Sequence, residues 1–312
     1  MVTNIRGNVR EHIHEMLRMA LGIAIPLASF ATGLTAAGAD PLWLPKHPRL
    51  WLRSLLIILV VVPVGVVLLM EAIGTSDVVK AALTIAVISI GIGPPAAFKK
   101  AQSHKEVVAY EVGLNLSLLA LALAYLPLAV AVHGAIFHHT VQLGVGQVAG
   151  VVLVKALIPM VLGVLAGRLF PKVVAPFAKY AAILVQVVLL AIVVIALIAT
   201  WRQLLGLGTT WLLCLAIVIG EIAVGHFFGR KDPQTRGMLV AFSAMRFPAL
   251  ALLLAHAAPR GRQFIPVIVA YVICSFVLVA VYEAMTARRR QRGEHPPVPA
   301  AQQRRVPAAG HA

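Results

Sequence analysis

The sequence predicts an all-α polytopic membrane protein with about nine transmembrane helices, and three observations carry that prediction. Of its 312 residues, 60% are hydrophobic and only 12% are charged. A soluble domain carries about 25% charged residues. Apolar runs long enough to cross about 30 Å of hydrocarbon recur from Leu17 to Ala284. The net charge of +16 sits between those runs and in the tail Arg288-Arg289-Arg290-Gln291-Arg292. Topology determinants are distributed in that way, so the charge does not call for a nucleic acid partner. The alternating ten-residue segments of a membrane β-barrel are absent.

The elements follow in order. Residues 1–16 are polar, with Ile5, Val9 and Ile13 at helical spacing, which predicts an amphipathic segment lying on the bilayer rather than a cleavable signal. A transmembrane region follows over 17–287, in a first half of about 17–132 and a second of about 142–287. The spans are read at 17–37, 50–73, 77–103, 107–132, 142–170, 174–201, 210–228, 234–257 and 263–287, the third reading alternatively as a span ending at Gly93 plus a short loop. The connections are short and carry Pro, polar or charged residues, as at 40–49, 133–141, 230–233 and 259–262. Trp43, Trp51, Trp201 and Trp211 fall near span ends, as an aromatic belt would. Cys214 and Cys274 lie inside spans and suggest no disulfide framework. Residues 288–312, rich in Pro, Arg, Gln and Ala, read as a disordered basic tail.

Positive charge orients the bundle. With the C-terminus inside, Lys46, Arg49, Arg53, Lys99, Lys100, Lys105, Arg168, Lys172, Lys179, Arg230, Lys231, Arg236 and the tail arginines all fall on the cytoplasmic side. Fewer fall outside, so the N-terminus is expected out and the C-terminus in, as in a bacterial inner (plasma) membrane protein.

Two segments break the rule that a spanning helix runs uninterrupted. One is Ser89-Ile90-Gly91-Ile92-Gly93-Pro94-Pro95-Ala96, in the third span. The other is Ala241-Phe242-Ser243-Ala244-Met245-Arg246-Phe247-Pro248, in the eighth. An offset of five spans places equivalent elements in opposite orientations, which is an inverted repeat. Gly/Pro-interrupted spans in matching positions point to a transporter site. Broken backbone survives in a membrane only where protein or water satisfies it. The isolated Pro26, Pro63, Pro127, Pro159 and Pro266 read as kinks.

Arg246 stands out among the charged residues. It stays protonated, and its charge costs at least about 2.5–3.5 kcal/mol at the centre of a membrane helix. It reads either as a built-in cation that binds a carboxylate or sulfonate, or as a structural partner of a buried acid, Glu221 or Glu111. Ser243 and Met245 are its neighbours in the break. Lys99 and Lys100 follow the proline pair by four and five residues, and face either a cavity or the cytoplasm. Lys155 lies mid-span, with pairing to an acid its first reading. Glu221 and His226 could each relay a proton, and for Glu221 a counter-ion role to Arg246 or Lys155 ranks first. His133, His138 and His139 share a loop without an acid or Cys, so no metal site and no cofactor is expected. No catalytic motif appears, and an enzyme is not expected.

On these residues the chain resembles the bile acid:sodium symporter family, over about 46–287. Gly91-Ile92-Gly93-Pro94-Pro95 is similar to the family's Pro-Gly-Gly crossing, and Gly113-Leu114-Asn115-Leu116-Ser117 to its Gly-Asn…Ser stretch. Leu157-Ile158-Pro159-Met160-Val161-Leu162-Gly163 is similar to its Leu-x-Pro-x-x-x-Gly helix, and the segment from Arg236 to His256 to its second crossing helix. The resemblance implies a panel bundle of spans 1, 5 and 6. It also implies a core bundle of spans 2–4 and 7–9, with two broken helices crossing at mid-membrane. Ten-span relatives carry one further N-terminal helix. It implies secondary transport, often symport of an organic anion with sodium. The family's sodium ligands fall on Lys99-Lys100 and on Ala241, Met245 and Arg246 here. Sodium needs hard oxygen ligands, and a nearby cation repels it, so only Asn115 and Ser117 remain as oxygen donors.

The expectation is therefore a secondary transporter of a small organic anion in the lipid bilayer. Arg246, Lys99, Lys100, Pro94, Pro95, Asn115, Ser117, Ser243 and Met245 would form its substrate site. Glu221, Glu111 and Lys155 would serve coupling or ion pairing. The alternatives are a proton-coupled or exchange carrier and a non-transporting receptor or sensor on the same scaffold.

Overall fold

A computed structural model describes residue 15 and residues 19–34, 43–90, 105–137, 145–229, 233–258 and 261–291. Every regular element among them is helical. In chain order they are α1 (Met19–Leu34), α2 (Pro48–Leu56), α3 (Val62–Ile73), α4 (Asp77–Ile88), α5 (Lys105–Phe137), α6 (Val145–Val152), α7 (Ile158–Leu169), α8 (Pro171–Leu205), α9 (Thr210–Phe228), α10 (Pro233–Ala244), α11 (Pro248–Ala257) and α12 (Gly261–Gln291). Two π-helical segments, Ile57–Val61 and Leu153–Leu157, join α2 to α3 and α6 to α7.

Six helices among the described residues are long and apolar enough to cross a membrane: Pro48–Ile73, Val108–Val132, Ile183–Leu205, Thr210–Phe228, Thr235–Ala257 and Gly261–Arg289. The protein is an all-α integral membrane protein. Its outer surface agrees: Phe177, Tyr180, Leu190, Ile198, Leu212 and Phe227 are all exposed, a face that suits lipid and not water. The N-terminal segment 1–14, the loop histidines His138 and His139, and the tail from 292 lie outside the described residues.

Prolines and glycines set the helix ends. Pro48, Pro171 and Pro248 each open a helix, where a missing N–H costs nothing. Gly74 closes α3 in the left-handed region, at φ 68°, which a side chain would strain. That turn brings α4 back against α3, and Lys80 Nζ meets Glu71 Oε1 at 2.6 Å.

Burial ranks the helices. Of the most apolar window in Thr235–Ala257, 89% is buried, against 24% in Ile183–Leu205 and 33% in Thr210–Phe228. The interrupted pair α10–α11 is thus the centre of the molecule. α9 lies antiparallel to α10, close enough that a Cβ on Gly225 would stand 2.7 Å from Val240 Cα. α12 packs on α4, α9, α11 and α8, and α5 packs on α10. α12 runs in the same direction as α9, since Tyr271 reaches Glu221 and Tyr282 reaches His226.

α1 and α7 meet at a pair of glycines. A Cβ on Gly33 would overlap the Met160 carbonyl, and one on Gly163 would overlap the Phe30 carbonyl. Small residues let membrane helices approach backbone to backbone, where dispersion rather than water drives packing. The two helices run in the same direction, because Lys155 lies over Gly22 at the other end of the contact.

One end of the bundle collects cations. The Arg53 guanidinium lies 5.9 Å from the Phe228 ring, Arg236 packs on Gly229, and the charges of Arg236 and Arg289 both act on His226. These are residues that the charge asymmetry of the sequence puts on a single side.

The glycine crossing predicts a graded response. Gly33→Leu or Gly163→Val should lower the thermal unfolding midpoint in detergent by several degrees, corresponding to overpacking of about 1–3 kcal/mol. Gly65→Ala, at a position with open space, should leave it within a degree or so of the wild type. Equal midpoints for all three would mean that the crossing is not tight.

Candidate functional site: a proline-broken crossing with a buried guanidinium

The two interruptions read from the sequence meet through backbone. α4 stops at Ile88, and the Ser89 hydroxyl turns back onto Ile85 O. α10 stops at Ala244, after which Met245, Arg246 and Phe247 leave the helix before Pro248 starts α11. The Phe247 N–H donates to Ser89 O at 3.0 Å, and both residues are buried. Each break therefore supplies the other with the hydrogen bond that its own helix lost. Pro94, Pro95, Lys99 and Lys100 fall in 91–104, outside the described residues.

Arg246 projects from this junction and is 6% exposed. Its Nη1 and Nη2 donate to Ile58 O at 3.3 and 3.4 Å. The sequence dictates why that carbonyl is free. In the first π segment Val62 N–H bonds to Ile57 O, five residues back. In the same register Ile58 O would await the N–H of residue 63, which is Pro63 and has none. The guanidinium replaces the missing donor. Pro63, expected only to kink its helix, thus helps to position the site. The second π segment repeats the arithmetic, with Ile158 N–H on Leu153 O and Pro159 next in line.

The guanidinium keeps donors in reserve. Among the described residues Arg246 Nε has no partner, and two other buried polar atoms near the break also lack one: Ser243 Oγ on α10 and Tyr125 Oη on α5. Tyr125 lies within reach of the Arg246 charge. Ser243 departs from the local habit. Ser29, Ser54, Ser89, Ser117 and Ser275 each bond the carbonyl four residues back, whereas Ser243 leaves its hydroxyl unspent and is wholly buried. Buried polar atoms are normally satisfied, so three that lack a partner among the described residues, one of them on a cation, carry donors that suit an acceptor-rich group.

Glu221 faces the same break from α9 and is 2% exposed. The expected ion pair with Arg246 is not formed. Glu221 instead meets the Tyr271 hydroxyl, at 3.0 Å from Oε1 and 2.9 Å from Oε2, while Arg246 is spent on Ile58 O. The Arg246 charge still acts on Glu221 and on Tyr271. The Tyr271 hydroxyl also lies 3.3 Å from Ala244 O. That carbonyl has lost its helical donors, because Phe247 N–H is given to Ser89 and Pro248 has none.

The remaining candidates divide. Glu111 and Asn115 are buried one turn apart on α5. Ser117 is committed elsewhere: it accepts from Trp51 Nε1 at 2.9 Å and donates to Gly113 O at 2.7 Å. Two residues apart on a helix, Asn115 and Ser117 lie about 200° round the axis and do not share a face. Trp51 thus serves as a helix-to-helix tie, beyond its place at a span end. Met245 is half-buried at the break. Lys155 is half-buried in the second π segment with Nζ over Gly22 of α1, and no acid pairs with it among the described residues. An Nζ on a long apolar stem reaches along a neighbouring helix more easily than it finds a buried acid. His226 is held by the Tyr282 hydroxyl at 2.9 Å. No group of three His, Cys, Asp or Glu that could hold a metal occurs among the described residues.

Sequence reasoning passed over Tyr271, Tyr125 and the Ile58 carbonyl. A signal existed for the first two, since a tyrosine in an apolar span carries a hydroxyl that needs a partner. Compared with known families and with curated proteins, the chain matches no family model and no curated protein.

Capping of Ile58 O by Arg246 in place of the N–H that Pro63 lacks makes the two positions non-additive. Pro63→Ala restores an N–H that can reach Ile58 O. The change in unfolding midpoint on Arg246→Ala should therefore be smaller in the Pro63→Ala background than in the wild type. The coupling should be on the order of 0.5–3 kcal/mol by double-mutant cycle in detergent. Strict additivity would show that Arg246 does not cap that carbonyl.

Proposed function

We propose that this protein is a secondary transporter of a small organic anion that works by alternating access. One observation carries the reading: the end of α4 is joined to the interrupted α10–α11 helix by the Phe247 to Ser89 hydrogen bond, beside a buried guanidinium whose donors are only partly used among the described residues. Interrupted helices at the membrane midplane are where transporters hold charged substrates. The reading comprises nine crossings. To the six long apolar helices it adds α1, the α6–α7 pair, and a broken span begun by α4. The shared direction of α1 with α7, and of α9 with α12, agrees with their being odd-numbered crossings. The breaks in the third and eighth crossings are then the matching elements of an inverted repeat. α1, α6–α7 and α8 form the panel, and the rest form the core. The resemblance to bile acid:sodium symporters belongs to the same proposal, as do an N-terminus out and a C-terminus in across a bacterial inner membrane.

In this reading Arg246 and Ser243 hold a carboxylate or sulfonate, Arg246 through its forked donors. Met245 and Asn115 line the site. Lys99 and Lys100, with Pro94 and Pro95, contribute from the first break. A fixed cation stands where relatives are expected to hold sodium, and Ser117 is tied to Trp51, so sodium is not the coupling ion.

Uptake into proteoliposomes tests this. A panel of labelled carboxylates and sulfonates should include at least one with saturable flux that does not depend on a sodium gradient. Arg246→Ala should lower that flux by tenfold or more while the protein stays monodisperse, and Arg246→Lys should recover part of it. Unchanged flux in Arg246→Ala would reduce Arg246 to a structural cation. Saturable binding with no flux would make the protein a receptor.

A further inference from the structure

We propose that Glu221 is a reversible proton-binding site, relayed through Tyr271 to the broken end of α10, and that it makes anion transport electroneutral. The inference rests on the reading of Arg246 as the anion site and adds the coupling ion.

The hydrogen-bond inventory supplies the first argument. Tyr271 has one hydroxyl proton and three acceptors around it: both Glu221 oxygens and Ala244 O. When Glu221 is a carboxylate, that proton goes to Glu221, and Ala244 O is left without a donor, because Phe247 N–H is spent on Ser89 and Pro248 has none. When Glu221 takes a proton from hydronium, an O–H bond of hydronium breaks, water is released, an O–H bond forms on the Glu221 oxygen, and that group donates to the Tyr271 oxygen. The Tyr271 proton then turns to Ala244 O. Protonation thus gives Ala244 O a donor and leaves one Glu221 oxygen without one, whereas the carboxylate form keeps the Tyr271 proton on Glu221 and leaves Ala244 O without a donor among the described residues. A buried orphan carbonyl is costly in a membrane, so proton occupancy alters the stability of the break itself.

Charge supplies the second argument. The groups facing Glu221 are Tyr271 on α12, Cys214 on its own helix, and Arg246 at the break that α10 carries. Arg246 is the cation among them. With Glu221 ionised, the two side chains sum to zero, and an arriving anion would leave one net negative charge buried in low dielectric. With Glu221 protonated, the anion on Arg246 restores zero. Anion and proton therefore favour each other's binding, and by linkage the effect is reciprocal. One proton crosses with each monovalent anion. No direct Arg246–Glu221 bridge stands in the way, because Arg246 rests on Ile58 O. A tight bridge would hold both charges and oppose the exchange.

Infrared difference spectroscopy on the purified full-length protein in lipid bilayers, with no substrate added, reads the proton directly. Lowering the pH should produce a protonated-carboxyl stretch that is missing in Glu221→Gln. Tyr271→Phe keeps the carboxyl but removes its hydrogen-bond partner, and should displace the band to higher frequency. Arg246→Met, which cancels the charge as a bound anion would, should shift the midpoint of the band upward by about one pH unit or more, a tenfold tighter hold on the proton. Identical difference spectra for wild type and Glu221→Gln would overturn the proposal, and so would a midpoint unmoved by Arg246→Met. Because the band is read without transport, its failure alongside measured anion flux removes proton coupling and leaves the transporter reading intact. A titrating, Arg246-sensitive band in a protein that moves no anion upholds the proton site and removes the transporter reading.

Discussion

A carbonyl that loses its N–H partner to a proline has no water to turn to inside a bilayer, and much of the centre of this molecule follows from that constraint. Pro63 leaves Ile58 O without a donor, and Pro248 leaves Ala244 O without one. Each is met by a side chain from a different helix, Arg246 in one case and the Tyr271 hydroxyl in the other. The third repair is made by backbone alone, Phe247 to Ser89. Together the three bonds fasten α10 and α11 to α4, to α12 and to the helix that begins at Pro48. They explain why the interrupted span is also the most deeply buried: a broken helix facing lipid would have no neighbours to supply these donors.

The same repairs keep two buried ionisable groups from pairing directly. Arg246 and Glu221 lie near enough to feel each other, yet each is hydrogen-bonded to a neutral group. An isolated charge in a low-dielectric interior is expensive, and natural membrane proteins keep such groups chiefly where they work. Among the described residues, spare donors on the guanidinium, an unspent Ser243 hydroxyl and a Tyr125 hydroxyl without a partner raise the cost further. An incoming anion with several acceptor oxygens would offset all of it at once. The packing around the junction, with Gly225 against Val240, leaves little freedom for that part of α10 to relax its polar atoms by itself.

Much of the candidate site was legible in the sequence because its chemistry is written in residue types that membrane helices avoid. Arg246, Glu221 and the Pro248 break each stand out against an apolar background. Their partners did not, because a carbonyl has no letter of its own. Ile58 looks like any lipid-facing isoleucine until the π register and Pro63 are counted together. The resemblance offers Asn115 and Ser117 together as oxygen donors, and helical geometry turns them apart. Ser117 reads as a free oxygen, and Trp51 from another helix claims it. In each of these cases the missing information is a contact between residues far apart in the chain.

The sequence by itself determined that this is an all-helical membrane protein and that the helix carrying Arg246 is interrupted before Pro248. Hydropathy, proline and glycine act locally, over a turn or two of chain, so local reading suffices for them. Tertiary structure decided that the interruption of α10–α11 meets the end of α4 and that α1 crosses α7 at paired glycines. It also decided that Glu221 answers to Tyr271 and not to Arg246. Those choices depend on which donors and surfaces the folded chain brings within about 3 Å of one another, and a hydrogen bond is lost over a further half-ångström.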